Sequence, residues 1–157
     1  FLTIQNAIDN PNVITGDTII VHPGIYFENI KNPSKGLSLV SKSGPSNTTI
    51  DGSDLLESVI RLEGNTEQNR IEGFSITGGN CPESSSSAHY GGGIYASDSS
   101  MLILENNRIF GNRAKHGAGV HVHESETFFI CGANKADHGV PDSMCAWDSV
   151  GIQRIQN

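Results

Sequence analysis

The chain predicts an all-β solenoid, and three observations predict it. The run Gly91-Gly-Gly-Ile-Tyr95 returns about 26 residues later as Gly117-Ala-Gly-Val-His121, a period typical of stacked repeats. The residues between the two copies read as short alternating strands and Gly, Asn and Ser turns, without helical periodicity. Finally, only 36% of the 157 residues are hydrophobic while 18 are glycine, a composition that suits a narrow tube with tight corners. A single domain of this length holds roughly five rungs at a few tens of residues each.

In chain order, Thr3 to Ile8 shows the Ile4/Ile8 spacing of a short amphipathic helix, and Asn10-Pro11 stops it because the residue before a proline is pushed out of the helical region. Residues 1–15 are therefore expected to cap the first rung and shield it from edge-to-edge pairing. Gly16 to Gly24 reads as turn, strand, turn. Ile25 to Ile30 and Leu37 to Ser41 read as further short strands, and Thr48 to Gly52 leads into the regular rungs. Residues 16–130 are expected to carry the rungs and 131–157 a C-terminal loop, cap or assembly segment.

The repeat also extends backwards. Placing Ile71 to Asn80 over Leu104 to Asn112 matches Glu72 with Glu105, Ile76 with Ile109 and Gly78 with Gly111, at an offset of about 33 rather than 26. The excess is explained if Asn80 to Tyr90 is a loop extruded between strands, since its Pro and Ser run has no apolar period to bury. Within a rung the period is two, which sends alternate side chains to opposite faces. Ile60 and Leu62, Ile94 and Ala96, and Val120 and Val122 are expected to stack inward. Arg61, Tyr95 and His121 then form one outer column, and Glu63, Ser97 and His123 a second. Asn106, Asn107 and Asn112 are expected at corners, where asparagine tolerates left-handed backbone and bonds along the stack. Asp51-Gly52 is expected as a turn.

The runs TIQNAIDN, GDTIIVHPGIYFENI, TTIDGS, GFSITGGN and YGGGIYASDSS, followed by ILENNRIFGNRAKHGAGV, resemble the secreted right-handed parallel β-helix repeat proteins of bacteria, the pectate-lyase-like superfamily. The Gly-Gly-Gly-Ile and Phe-Gly-Asn elements are similar to the repeats of polymorphic outer-membrane proteins. The resemblance covers about residues 1 to 123 and implies a right-handed parallel β-helix in a secreted or cell-surface location. It implies no single activity, because the fold carries lyases, esterases, isomerases, adhesins and passive fibres.

Seventeen acidic against ten basic residues give a net charge of −7, which argues against nucleic acid and anionic membrane surfaces as partners. It also weighs against a polyanionic sugar unless Arg61, Arg70, Arg108 and Arg113 gather on one side. Neutral glycans remain open. No apolar run approaches the roughly 20 residues that span a bilayer. A chain that starts at Phe1 without methionine is expected to be processed or excerpted.

Cys131 and Cys145 bracket a segment with little periodic hydrophobicity, so a disulfide between them would staple a loop that cannot build its own core; two unpaired thiols are the alternative. Cys81, in the Ser-rich loop, is expected to be exposed, free or paired with another chain.

Three groups of residues carry chemical potential. His121 and His123, at i and i+2, share a strand face and could chelate a divalent cation, with His116 or His89 as a third ligand. Solvated histidines are the stronger reading, and no cofactor is expected. The Arg61/Tyr95/His121 column offers a cation to neutralise a uronate and a base to remove the neighbouring proton, as a polysaccharide lyase requires. It lacks a calcium-binding acidic cluster at strand spacing and the paired carboxylates of glycoside-cleaving enzymes. Asp51, Asp54, Glu57 and Glu63 lack the rhythm of a calcium loop and read as turn formers and solvated charge.

The favoured expectation is therefore a non-catalytic extracellular solenoid, a surface, adhesive or fibre-forming subunit whose partner is another copy of itself. The alternative is a carbohydrate-binding or lyase-like protein that uses Arg61, Glu63, Tyr95, Ser97, His121 and His123 against a polysaccharide. Self-association is expected through Gly151, Ile152, Gln153, Arg154, Ile155 and Gln156, because a solenoid end without a cap exposes unpaired backbone groups.

Overall fold

The computed structural model describes residues 1–32, 35–53, 55–64, 67–81, 90–97, 101–114, 116–123, 129–132 and 135–136. These residues wind a right-handed parallel β-helix. The first coil follows helix α1 (Ile4–Ile8) and contains β1 (Thr18–Val21), β2 (Gly24–Phe27) and β3 (Ile30–Asn32). The second contains β4 (Ser38–Ser41), β5 (Thr48–Asp51) and β6 (Ile60–Leu62). The third contains β7 (Gln68–Glu72), β8 (Ser75–Thr77), β9 (Asn80–Cys81) and β10 (Ile94–Ser97). The fourth contains β11 (Met101–Glu105), β12 (Arg108–Ile109), β13 (Arg113–Ala114) and β14 (Val120–His123), and the fifth β15 (Phe129–Gly132) and β16 (Lys135–Ala136).

Equivalent strands of successive coils stack as parallel sheets. One has the order β1-β4-β7-β11-β15, a second β16-β12-β8-β5-β2 and a third β14-β10-β6-β3, with a short β13-β9 pair beside them. The register confirms the repeats read from the sequence: Ile71 lies opposite Leu104, Glu72 opposite Glu105, Ile76 opposite Ile109, and Ile60, Ile94 and Val120 are successive neighbours. The core is the stack of inward side chains from these positions, in which Ile60, Leu62, Ile94, Ala96, Val120 and Val122 are buried with Ile50, Ile76, Leu104 and Phe74. Period-two alternation is what lets the narrow strands of each coil fill one tube.

The expected helix is present and closes the first coil. Thr3 caps it, its hydroxyl accepting the Asn6 N–H at 3.1 Å. The Glu28 carboxylate accepts the N–H groups of Ile4 and Gln5 at 2.8 and 2.9 Å, and the Lys35 ammonium donates to the carbonyls of Ile8 and Asn10. Both helix ends are thus satisfied by side chains of opposite sign to their dipole charge. Ile4, Ala7 and Ile8 face the core.

Two expectations about elements change. Ile25 to Ile30 is not one strand: β2 ends at Phe27 and β3 begins at Ile30 in a different sheet. The chain turns at Glu28 and Asn29, where the Glu28 N–H donates to the Asp51 carbonyl and Asn29 Nδ2 to the Ser58 carbonyl at 2.8 Å. Asn80 and Cys81 do not belong to an extruded loop, because they form β9 and pair with Arg113 and Ala114 of the next coil. Residues 82–89 of that insertion lie outside the described residues. The fifth coil continues to Ala136.

The corner asparagines behave as anticipated. Asn106 takes a left-handed conformation with φ 50°. Buried Asn107 accepts the Phe74 N–H at 3.0 Å and donates to the Ile71 carbonyl at 2.8 Å. One turn on, Asn112 accepts from Gly79 and donates to Ile76 of the coil beneath. Each replaces the ladder bonds that the backbone loses where a strand bends. Asp51 also acts as a turn former, accepting from both the backbone and hydroxyl of Ser53.

Candidate functional site

The outward residues of the β3-β6-β10-β14 sheet make one continuous column. Lys31, Arg61, Tyr95 and His121 are successive neighbours in the register, so their side chains emerge about 4.8 Å apart from parallel strands. Inward residues on either side of Arg61, Tyr95 and His121, such as Ile94 and Ala96 around Tyr95, anchor the strands in the core and fix the direction of the outward groups.

These side chains engage one another. The Arg61 guanidinium carbon lies 4.4 Å from the centroid of the Tyr95 ring. On the next coil, the His121 ring is parallel to Tyr95, with an interplanar angle of 1° and centroids 6.0 Å apart. Tyr90 stacks on His121 at 4.6 Å and on His116 at 5.2 Å. Arg61 also forms an ion pair with Glu63, and Lys31 one with Glu57 at 2.8 Å. Burial lowers the pKa of Arg61, but its hydrogen bond and attraction to Glu63 outweigh that and leave it above the ordinary arginine value. The guanidinium is a fixed positive charge at any accessible pH.

Tyr95 and Ser97 depart from the expected exposed outer surface. They are only 9% and 4% exposed, because the column closes on itself over Tyr95 and β10 is covered on both faces. Arg61 and His121 are half-buried, and Glu63 is exposed. The backbone of His123 pairs with Ser97 in β14, while its side chain lies outside the described residues. His116 sits on the surface beside Tyr90, joined to it by an isolated parallel bridge. His89 lies outside the described residues. Among the described residues, no group of three or more His, Cys, Asp or Glu side chains gathers to hold a metal ion.

Tyr90 is the member that the sequence reading missed, having been assigned to the loop. Its spacing to His116 equals that of Gly91 to Gly117, so the repeat itself placed it. Those two glycines explain the close approach here: both have positive φ, at 61° and 58°, and a Cβ on Gly91 would lie 2.8 Å from the Tyr95 Cβ.

The remaining candidates separate in space. Cys81 is not an exposed loop thiol. It is buried in β9, with its sulfur 3.7 Å from the Ser58 hydroxyl, and burial pushes its pKa above the usual thiol value. Cys131 lies in β15 beside Leu104, but Cys145 and the disulfide expectation lie outside the described residues. So does the assembly segment from Gly151 to Gln156. Of the acidic group, Asp51 serves a turn and Glu57 and Glu63 serve ion pairs, while Asp54 lies outside the described residues. Arg70 joins two register-paired carboxylates, Glu72 and Glu105, on the β7-β11 face.

For chemistry, the geometry matters as much as the residue types. A lyase needs its cation turned toward a substrate carboxylate and its base toward a carbon-bound proton. In this column the guanidinium covers a phenol ring and is paired with Glu63, and the imidazole lies against two phenol rings.

No family model matches the chain. A cell surface glycoprotein of Methanothermus fervidus is 35% identical over 109 residues, which cover 69% of this chain and 16% of that protein. Among solved structures, a pectin methylesterase mutant in complex with a hexasaccharide superposes with a TM-score of 0.58, and pectin methylesterase from Erwinia chrysanthemi with 0.57. Each is 16% identical, with 87% of this chain covered and 45% and 48% of the respective enzyme chains. The chain therefore spans about one sixth of the length of the glycoprotein and just under half that of the esterases. Among the described residues no helix is long and apolar enough to cross a membrane. The likeness to the esterases establishes the parallel β-helix fold of this chain.

Proposed function

We propose that this chain is a β-solenoid module of a cell-surface protein, and that it works structurally rather than as a catalyst. The observation that carries this reading is the Arg61-Tyr95-His121 column, whose groups contact each other across three coils. Such contacts hold coils in register and leave Tyr95 little surface to offer a substrate. The surface location is supported by the similarity to a cell surface glycoprotein.

Two measurements test it. Labelling intact cells with a membrane-impermeant amine reagent should modify the protein, and absence of label would overturn the location. Purified protein should neither demethylate pectin nor release unsaturated product from pectate, alginate or chondroitin. Robust activity that is lost in Tyr95→Phe or His121→Ala would overturn the structural reading and install the carbohydrate-active one.

One observation favours glycan binding as a second reading: Tyr90, His116 and His121 form a ring stack that reaches the surface. Titration with neutral and acidic oligosaccharides decides this, with Tyr90→Ala as control. The filament-forming role rests on the segment Gly151 to Gln156. Light scattering of the full chain and of a variant lacking residues 151–157 tests it, since only the full chain should assemble.

A further inference from the structure

The sequence contains one Asn-X-Ser/Thr triplet whose middle residue is not proline, Asn47-Thr48-Thr49. That pattern is the acceptor for an N-linked glycan when it lies on the surface of an exported protein. Asn47 ends the turn between β4 and β5 and is exposed. Its Nδ2 donates to the Ser43 carbonyl at 3.0 Å in a bond open to solvent. Thr48 points the other way: it is buried, with its hydroxyl 2.7 Å from that of Ser41, and it pins the start of the strand. Thr49 is half-buried on the face of β5 opposite Thr48, so both it and the exposed Asn47 reach solvent. The space above the turn is open, since a Cβ built on Gly44 would meet nothing within 4 Å.

The same side of the coil carries exposed apolar surface. On the neighbouring strand β2, Ile25 and Phe27 are 62% and 73% exposed, and Ile25 pairs directly with Thr49. Asn47 is one strand over and two residues along from Ile25, about 8 Å away by strand spacing and rise. A sugar on Asn47 would lie across these two apolar side chains.

We infer that Asn47 is an N-glycan attachment site and that its glycan shields the apolar face of β2. The inference rests on the surface location proposed above. The donor is an activated sugar with a phosphate or diphosphate leaving group at its anomeric carbon. The Nδ2 atom forms the new bond to that carbon, the carbon–oxygen bond breaks with its electron pair departing on the phosphate, and one Nδ2 proton passes to a base of the transferase. The remaining Nδ2–H still donates to the Ser43 carbonyl, so the turn need not open.

The test uses protein purified from the cells that make it. Mass spectrometry of tryptic fragment 43–61 should show a sugar increment on Asn47, absent in Asn47→Gln and Thr49→Ala and retained in Thr49→Ser. Surface labelling of the same cells reads location separately. Labelled protein with a bare 43–61 fragment overturns the attachment site and leaves the location standing, whereas unlabelled protein overturns both. Enzymatic removal of the glycan should raise binding of a hydrophobic dye, and a Phe27→Ser variant should abolish most of that rise. Unchanged dye binding overturns the shielding role.

Discussion

The guanidinium of Arg61 lies 4.4 Å from the ring centroid of Tyr95, one coil further along the solenoid, and is held there by its ion pair with Glu63. A cation over an aromatic face, partly removed from water, contributes about 1–2 kcal/mol. In a double-mutant cycle with Arg61→Met and Tyr95→Leu, each single change should destabilise the chain and the pair should couple by about 0.5–2 kcal/mol in denaturant unfolding. Additive effects would show that the stack contributes no stability.

Gly79 and Gly92 lie in the same coil, on either side of β9, and their backbones meet there. A Cβ on Gly79 would lie 1.8 Å from the Gly92 carbonyl oxygen, which is held in place by the Val59 N–H of the preceding coil at 3.0 Å. Gly79→Ala should therefore cost several kcal/mol, of order 3 or more, at the upper end of single substitutions. A melting temperature within a degree or two of wild type would mean that the corner yields.

Asn107 substitutes for two backbone partners at once. Asn107→Ala leaves the buried Phe74 N–H and Ile71 carbonyl without their bonds and should cost about 2–4 kcal/mol. Asn107→Asp retains the acceptor but loses the donor and adds a buried charge, so it should be worse at neutral pH and recover part of its stability on acidification as the carboxyl is neutralised. Equal losses for the two variants at all pH values would count against this account.

Buried Cys81 predicts an alkaline weakness. Its folded pKa lies above the unfolded value, chiefly through burial, so above the unfolded thiol pKa the folded state binds more protons than the unfolded one. Stability should be intact at neutral pH and fall as pH rises through the unfolded value toward the folded one. Cys81→Ala should remove that part of the slope in unfolding curves. Alkylation at Cys81, followed by peptide mass spectrometry, should lag far behind that of a model thiol, and fast alkylation of the native protein would refute its burial.

Much of the architecture was legible in the residues because it is set by local alternation. Ile60, Leu62, Ile94, Ala96, Val120 and Val122 fall on one side of their strands whatever surrounds them, and burying that side leaves stacking as the solution for a chain that repeats. The repeat spacings, the capping helix and the roles of Asn107 and Asn112 follow in the same way, since caps and corners are made by side chains close to the backbone groups they satisfy.

Only the packed coils decided which outward side chains stay in water. Alternation assigns Tyr95 to the outer face, but cannot show that Arg61 from one coil and His121 from the next lie against it, or that Tyr90 stacks on the same imidazole. It cannot show that Cys81 pairs beside Ala114 rather than entering the Ser-rich insertion, or that the Glu28 carboxylate, at the turn after β2, accepts the first N–H groups of the helix. Such outcomes depend on contacts between residues some 23 to 34 positions apart, about one rung, where distance along the chain says nothing about distance in space.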